Sequence, residues 1–225
     1  MKKFAVIFDI NGTLIDTEKA HFEGYREALR PFGIKMTIEE FTDTWSRQGK
    51  KLNDFLEQIG RHELVPDFEA IKRKKDDIFQ ATLSQRIALM PGAKEILQLL
   101  ADAHIPLGLD TSGSGENMEM MLSLFGLTEF FNHVANGDTK IDEGKYGSRK
   151  WKASRLKYLA DLFGLPPDHC VMVGDAEKDL QGAKDAGMRV IAIPNIYTRT
   201  QDFSVADAMH ESLKNLTVES FSCLI

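Results

Sequence analysis

The sequence has few cysteines, no long apolar run and no excess of positive charge. The 225 residues include two cysteines, Cys170 in an apolar run and Cys223 near the end. A disulfide-rich secreted domain is therefore not expected. No apolar stretch approaches the roughly 20 residues of a membrane-spanning helix. A net charge of −6 disfavours binding to nucleic acid or to an anionic membrane surface. We therefore expect a cytoplasmic protein without a nucleic-acid or membrane partner.

Short apolar runs alternate with helical patterns along most of the chain. The runs have the length and continuous apolar character of strands buried on both faces, as in parallel sheets. Between them lie stripes such as Met118, Met121, Leu122 and Phe125, which share one helical face. This order predicts a doubly wound α/β sheet with right-handed crossovers. The predicted strands are residues 4–8, 105–109, 133–135, 171–173 and 190–193.

One segment interrupts the alternation. Residues 16–86 contain no convincing strand pattern but carry several helical stripes, one of them formed by Leu52, Phe55, Leu56 and Ile59. The sequence thus predicts a core domain formed by residues 1–15 and 87–225, with a helical cap domain, residues 16–86, inserted after the first strand.

Polar side chains follow the predicted strands. Ligands bind in open α/β sheets at the carboxyl ends of the strands, so these side chains are expected to meet at one sheet edge. Carboxylates suit Mg²⁺, and a carboxylate beside a metal and a lysine can attack a phosphate ester. The candidates are Asp9 after the first strand, Thr111 and Ser112 after the second, Asp175 and Asp179 after the fourth, and the lysines Lys145, Lys150 and Lys152.

Three segments carry a family resemblance. DINGTLID at 9–16, LGLDTS at 107–112 and GDAEKD at 174–179 resemble, in order, motifs of the haloacid dehalogenase superfamily, in particular the phosphatase and beta-phosphoglucomutase-like members with a helical cap. The resemblance covers nearly the whole chain. It implies a Rossmann-like core with an inserted α-helical cap. It also implies Mg²⁺-dependent hydrolysis of a small-metabolite phosphomonoester through an aspartyl-phosphate, by a monomer or weak homodimer.

The resemblance also assigns roles to residues. Asp9 would be the nucleophile and a metal ligand, the backbone of Asn11 and the carboxylate of Asp175 would bind the metal, and Asp179 would support its coordination. Thr111 would bind the phosphoryl group. Gly144-Lys145 resembles the usual Gly-Lys-Pro of the third motif, but the usual spacing of 25 residues before Asp175 selects Lys150, which we prefer as the catalytic lysine. The predicted substrate contacts are Gly12, Thr13, Ser112 and Lys145 in the core, and Arg47, Lys50 and Lys51 in the cap.

Asn11 departs from the family pattern. The phosphatases carry an aspartate there as general acid/base, and an amide cannot exchange protons at neutral pH. Loss of this function typically slows a reaction by about 10²–10⁴. Four interpretations remain open: a phosphatase attenuated or using another proton donor, an engineered variant, a dehalogenase, or a non-catalytic phosphate-binding protein. A phosphomutase is the closest enzyme alternative. Asp175 and Asp179 argue against the dehalogenase, which lacks the metal-binding acid.

Overall fold

A computed structural model of the chain describes residues 3–47, 50–148 and 151–225, without the side chains of residues 46, 47, 83 and 84. It divides into two compact units. One unit is formed by Met1–Asp16 and Leu89–Ile225, and the other by Thr17–Ala88. The sequence places these boundaries after residues 15 and 86, one and two residues earlier.

The first unit contains a six-stranded sheet in the order β5-β4-β1-β6-β7-β8. Every neighbouring pair of strands in it is parallel, so the predicted α/β class is confirmed. A second sheet pairs β2 with β3. The strands are β1 (Ala5–Asp9), β2 (Ile15–Asp16), β3 (Ala88–Leu89), β4 (Leu107–Asp110), β5 (His133–Ala135), β6 (Cys170–Gly174), β7 (Arg189–Ala192) and β8 (Ala208–Met209).

Ten α-helices lie within the described residues. Several end at a glycine in the left-handed conformation, as Gly126 and Gly164 do. A six-residue π-helical stretch spans Thr42–Arg47. The helices are α1 (Glu18–Leu29), α2 (Ile38–Phe41), α3 (Leu52–Gln58), α4 (Phe68–Arg86), α5 (Ala93–Asp102), α6 (Gly115–Phe125), α7 (Glu143–Tyr146), α8 (Lys152–Phe163), α9 (Glu177–Ala186) and α10 (Val218–Ser222). Short 3₁₀ turns span Arg30–Phe32, His62–Asp67, Thr128–Phe130, Pro167–His169 and Leu213–Asn215.

Burial on both faces explains the continuous apolar strands. All five residues of β1 are buried, and successive side chains point to opposite faces. Ala5 and Ile7 belong to a core cluster with Leu156 and Leu159 of α8 and Leu180 of α9. This packing holds α8 and α9 against the sheet and places the start of each helix beside the carboxyl ends of the central strands.

The second unit is helical and has its own core. Helices α1 and α4 pack along each other, and Leu29, Leu56 and Ile71 belong to one buried cluster. Trp45 packs its ring against Phe41 and Phe55 in the same cluster. Across the described part of the chain, no helix combines the length and apolar character needed to cross a membrane.

Candidate active site

Three acidic side chains converge at the carboxyl edge of the six-stranded sheet. Asp9 ends β1, Asp175 directly follows β6, and Asp179 lies in the first turn of α9. One carboxylate oxygen from each lies within 4.8 Å of the others. The three residues are at most 7% exposed. Because buried carboxylates repel one another strongly, this cluster needs positive charge, and hard oxygen ligands of this kind suit a divalent cation.

Glycine at position 12 lets the loop after β1 approach this cluster. Gly12 has a φ of +84°, and a Cβ atom there would lie 2.5 Å from Asp175 Oδ2. The Gly12 amide donates to the Ile15 carbonyl at 2.8 Å, which closes the loop. Asn11, the third residue of the first motif, lines the same cleft as Asp9. The glycine thus lets the loop lie beside the carboxylate of Asp175 without steric conflict.

Two hydrogen bonds hold the carboxylate of Asp175. The Thr13 hydroxyl donates to Oδ1 at 2.9 Å, and the Asn195 side-chain amide donates to Oδ2 at 2.8 Å. Thr13, predicted to contact substrate, has no exposed surface, and its hydroxyl is engaged by Asp175. Sequence reasoning missed Asn195, which lies in the loop after β7.

Lys152 supplies positive charge at the centre of the cluster. Its ammonium lies 2.7 Å from Asp9 Oδ1, 2.7 Å from Asp179 Oδ1 and 3.3 Å from Asp110 Oδ2. Gly182 of α9 makes room for the lysine stem, because a Cβ atom at Gly182 would lie 2.8 Å from Lys152 Cβ. The glycine therefore allows the first turn of α8 to sit close to α9.

Neither lysine preferred from the sequence is seen in this position. Lys145 bonds Asp161 at the surface, where both side chains are about half exposed, so the structure corrects its predicted place at the site. Lys150 lies outside the described residues. Lys152 precedes Asp175 by 23 residues, two fewer than the spacing used to choose Lys150. A usable signal existed, since Lys152 shares a helical face with the buried Leu156 and Leu159.

A buried ion pair lies behind Lys152. Arg155 donates from Nε to Asp110 Oδ1 at 2.7 Å and from Nη2 to Oδ2 at 3.1 Å. Both residues are at most 2% exposed, and Asp110 is the register partner of Asp9 on the neighbouring strand. Two carboxylates therefore stand side by side at the ends of β1 and β4, and two cations from successive turns of α8 balance them.

Burial and neighbouring charges shift the pKa values of the three carboxyl groups in different directions. Burial raises the pKa of Asp9 to about 6, although the Lys152 ammonium opposes the shift. Burial and the negative charges of Asp179 and Asp9 raise the pKa of Asp175 well above its ordinary value. Burial acts on Asp179 in the same direction, but Lys152 and Lys178 outweigh it and lower the pKa of that carboxyl. Burial also opposes the charge on Lys152, yet Asp179, Asp9 and Asp110 together raise its pKa.

The sequence model of the haloacid dehalogenase-like hydrolases matches residues 6–193, from β1 to the end of β7. The chain belongs to this family.

Curated and solved relatives of this hydrolase match along almost their whole length. Protein CbbY of Cereibacter sphaeroides is 31% identical over 94% of this chain and 93% of its own. A phosphoglycolate phosphatase of Photobacterium profundum is 26% identical over 100% of this chain and 97% of its own. The crystal structure of an Asp-to-Asn variant of CbbY from Rhodobacter sphaeroides, in complex with xylulose-(1,5)bisphosphate, superposes with a TM-score of 0.78, at 27% identity and 96% coverage of both chains.

The site of the hydrolase opens into a cleft of about 800 Å³. Asp9, Asn11, Thr111, Ser112 and Lys152 line it. Thr111 is 1% exposed, and its hydroxyl accepts a hydrogen bond from the Gly113 amide at 3.1 Å. The structure therefore brings the residues of the first and second motifs to one cleft at the sheet edge.

The predicted cap contacts lie in the second unit of the hydrolase. Lys50 Nζ donates to Gln58 Oε1 at 3.1 Å, so its charge is turned toward α3. Lys51 precedes α3, and its backbone amide donates to Asp54 Oδ2 at 2.7 Å. The side chain of Arg47 lies outside the described residues.

Proposed function

We propose that this hydrolase releases phosphate from a small phosphorylated metabolite, with Mg²⁺, through an aspartyl-phosphate on Asp9. The observation that carries the proposal is the buried grouping of Asp9, Asp175 and Asp179 beside a cleft, with the Lys152 ammonium bound to Asp9 and Asp179. Aspartate clusters with a lysine suit phosphoryl transfer, because this reaction depends on positioning and charge stabilisation.

Asp9, Asp175 and the backbone carbonyl of Asn11 would hold the ion, with Asp179 beside them. A bound Mg²⁺ would offset the negative charge that otherwise keeps a carboxylate and a phosphate apart. Three carboxylate oxygens within 4.8 Å of one another and the close approach of Gly12 to Asp175 fit such an ion.

The protein's own residues then divide the chemistry. A carboxylate oxygen of Asp9 attacks phosphorus, and the bond from phosphorus to the leaving oxygen breaks. Lys152 balances the charge on Asp9, while Thr111 and Ser112 hold phosphoryl oxygens. Water next attacks phosphorus, which breaks its bond to Asp9, restores the carboxylate and releases phosphate. The leaving oxygen must gain a proton, and the attacking water must lose one.

Asn11 cannot move either proton. Its amide orients groups by hydrogen bonding only, so turnover of alkyl phosphates is slow in the chain with Asn11. Acidic leaving groups, such as that of p-nitrophenyl phosphate, depart without protonation. The hydrolysis of such esters is therefore slowed less by the missing general acid. The xylulose-(1,5)bisphosphate bound to the CbbY variant and the name of the phosphoglycolate phosphatase suggest sugar bisphosphates and short phosphorylated acids as the first compounds to test. Contact of Arg47, Lys50 or Lys51 with the leaving group remains part of the proposal.

The test is phosphate release with Mg²⁺ by the unmodified protein and by Asn11→Asp. We expect Asn11→Asp to raise kcat for alkyl phosphates by about 10²-fold or more, and to raise it less for p-nitrophenyl phosphate. The control is Asp9→Asn, which should be inactive in both backgrounds. Equal activity of both forms on alkyl phosphates would mean that another group moves the protons. Binding of phosphate without turnover by either form would replace hydrolysis with phosphate binding as the function.

A further inference from the structure

Two loops at the carboxyl edge of the sheet have the same turn. After β5, Asn136 Oδ1 accepts from the Asp138 amide at 2.9 Å, and the Asn136 amide donates to Thr139 Oγ1 at 2.8 Å. After β7, Asn195 Oδ1 accepts from the Tyr197 amide at 2.8 Å, and the Asn195 amide donates to Thr198 Oγ1 at 3.1 Å. Asparagine commonly closes turns in this way, so the turn alone explains both residues.

Asn195 does something more. Its side-chain nitrogen donates to Asp175 Oδ2 at 2.8 Å and to the Gly12 carbonyl at 3.2 Å. Its side-chain oxygen is fixed at the same time by the Tyr197 and Thr198 amides and by the Thr198 hydroxyl. The turn therefore aims the two N–H donors at the loop after β1 and at the carboxylate after β6.

Asp175 is the member of the cluster that depends most on such donors. No ion pair with Asp175 is found among the described residues, whereas Lys152 binds Asp9 and Asp179 directly. The Thr13 hydroxyl fixes one oxygen of Asp175 and Asn195 fixes the other. The rotation of this carboxylate is thus set from two sides.

We propose that Asn195 is a positioning residue for the metal site: it orients Asp175 and ties it to the backbone of the loop after β1. This inference rests on the proposed function, because it concerns the same Mg²⁺ site. Groups that hydrogen-bond a metal ligand fix its orientation, and their loss typically weakens metal affinity about 10–100-fold.

The side chain in Asn195→Ser is too short to bond Asp175, but it keeps an oxygen that can close the turn. Asn136→Ser is the matched control, because it alters the same turn where no bond to the three aspartates is present. We would measure Mn²⁺ binding to the metal-free 225-residue protein by electron paramagnetic resonance, with Mg²⁺ as competitor. The melting temperature without metal would be recorded alongside.

Asn195→Ser should weaken Mn²⁺ and Mg²⁺ binding about tenfold or more, and Asn136→Ser should leave it within about twofold. Equal binding by Asn195→Ser and the unmodified protein would overturn the inference alone, as would equal losses in the two variants. If the unmodified protein binds neither ion, the proposed function fails together with this inference. If Asn195→Ser does not melt cooperatively, the same measurement is made on Thr198→Ala, with Thr139→Ala as its control. We then expect a smaller loss of affinity in the same direction, and an unchanged affinity would overturn the inference.

Discussion

The Lys152 ammonium offsets the mutual repulsion of the buried carboxylates around it. This ammonium contacts three buried carboxylates, of Asp9, Asp110 and Asp179, within 3.3 Å. In a buried region each such charge is costly without a partner, so the lysine has a structural and an electrostatic role together. A phosphate bound in the cleft would meet the same ammonium beside Asp9.

Replacement of this lysine tests its role directly. Lys152→Met should lower the rate of phosphate release by about 10²–10³, because it removes a preorganised charge beside the reacting atoms. Lys145→Met should change the rate little, since Lys145 bonds Asp161 at the surface. The measurement is kcat with saturating Mg²⁺ for both variants, with circular dichroism to verify folding. A strong loss for Lys145→Met with a normal Lys152→Met would reverse the assignment of the two lysines.

The choice of lysine shows where sequence reasoning stops at the residue scale. The acidic motifs mark Asp9 and Asp175 because they lie at the ends of buried strands, which the sheet fixes, and Asp179 lies one helical turn beyond Asp175. Lys152 lies beyond a loop whose length can vary, so counting back from Asp175 selects Lys150, two residues before the lysine that contacts Asp9 and Asp179. The helical phase of α8 is the better guide, because packing against Leu156 and Leu159 decides which residues face the site.

At the scale of elements, β4 and α8 are joined by the Asp110–Arg155 pair. Both side chains are buried and their two hydrogen bonds are parallel, which is the favourable geometry for arginine and a carboxylate. Loss of one partner would leave the other charge buried, and that is far more costly than loss of both. The pair therefore fixes how α8 lies against β4, the strand that Thr111 follows.

A double-mutant cycle tests this coupling. Arg155→Met should lower the free energy of unfolding by about 3–5 kcal/mol, since Asp110 stays buried with a weakened set of partners. Adding Asp110→Asn should recover part of this loss, with a coupling of about 1–3 kcal/mol. Urea denaturation of the single and double variants gives these values. Strict additivity would show that the two residues do not act as a pair.

Strand prediction succeeded for the strands of three or more residues and failed for those of two residues. The five predicted strands fall on β1, β4, β5, β6 and β7. For four of them the continuous apolar run reflects a mostly buried strand, whereas Val134 of β5 is 37% exposed. The three missed strands, β2, β3 and β8, have two residues each and carry no periodic pattern. Their pairing depends on neighbouring backbone, as when the Asp207 amide bonds the Val190 carbonyl just before β8. Such information is not local in the sequence.

At the scale of the whole molecule, the buried acidic cluster should make the stability of the fold depend on pH. Burial raises the pKa of Asp9 to about 6 and that of Asp175 well above its ordinary value. The folded protein therefore binds more protons at these two sites than the unfolded chain does. Stability then decreases as the pH rises through the interval between the unfolded and folded pKa values.

The pH dependence of the stabilisation by Mg²⁺ follows from the same two groups. Metal binds the deprotonated carboxylates, so added Mg²⁺ should raise the melting temperature more at about pH 7 than at about pH 5. Without metal, these two sites should make the protein less stable at the higher of the two pH values. The measurement is thermal unfolding at both pH values, with a chelator or with saturating Mg²⁺. Asp175→Asn, which lacks one titrating carboxylate, should show a smaller difference in Mg²⁺ stabilisation between the two pH values. An equal gain at both pH values in the unmodified protein would mean that Mg²⁺ does not bind at this cluster.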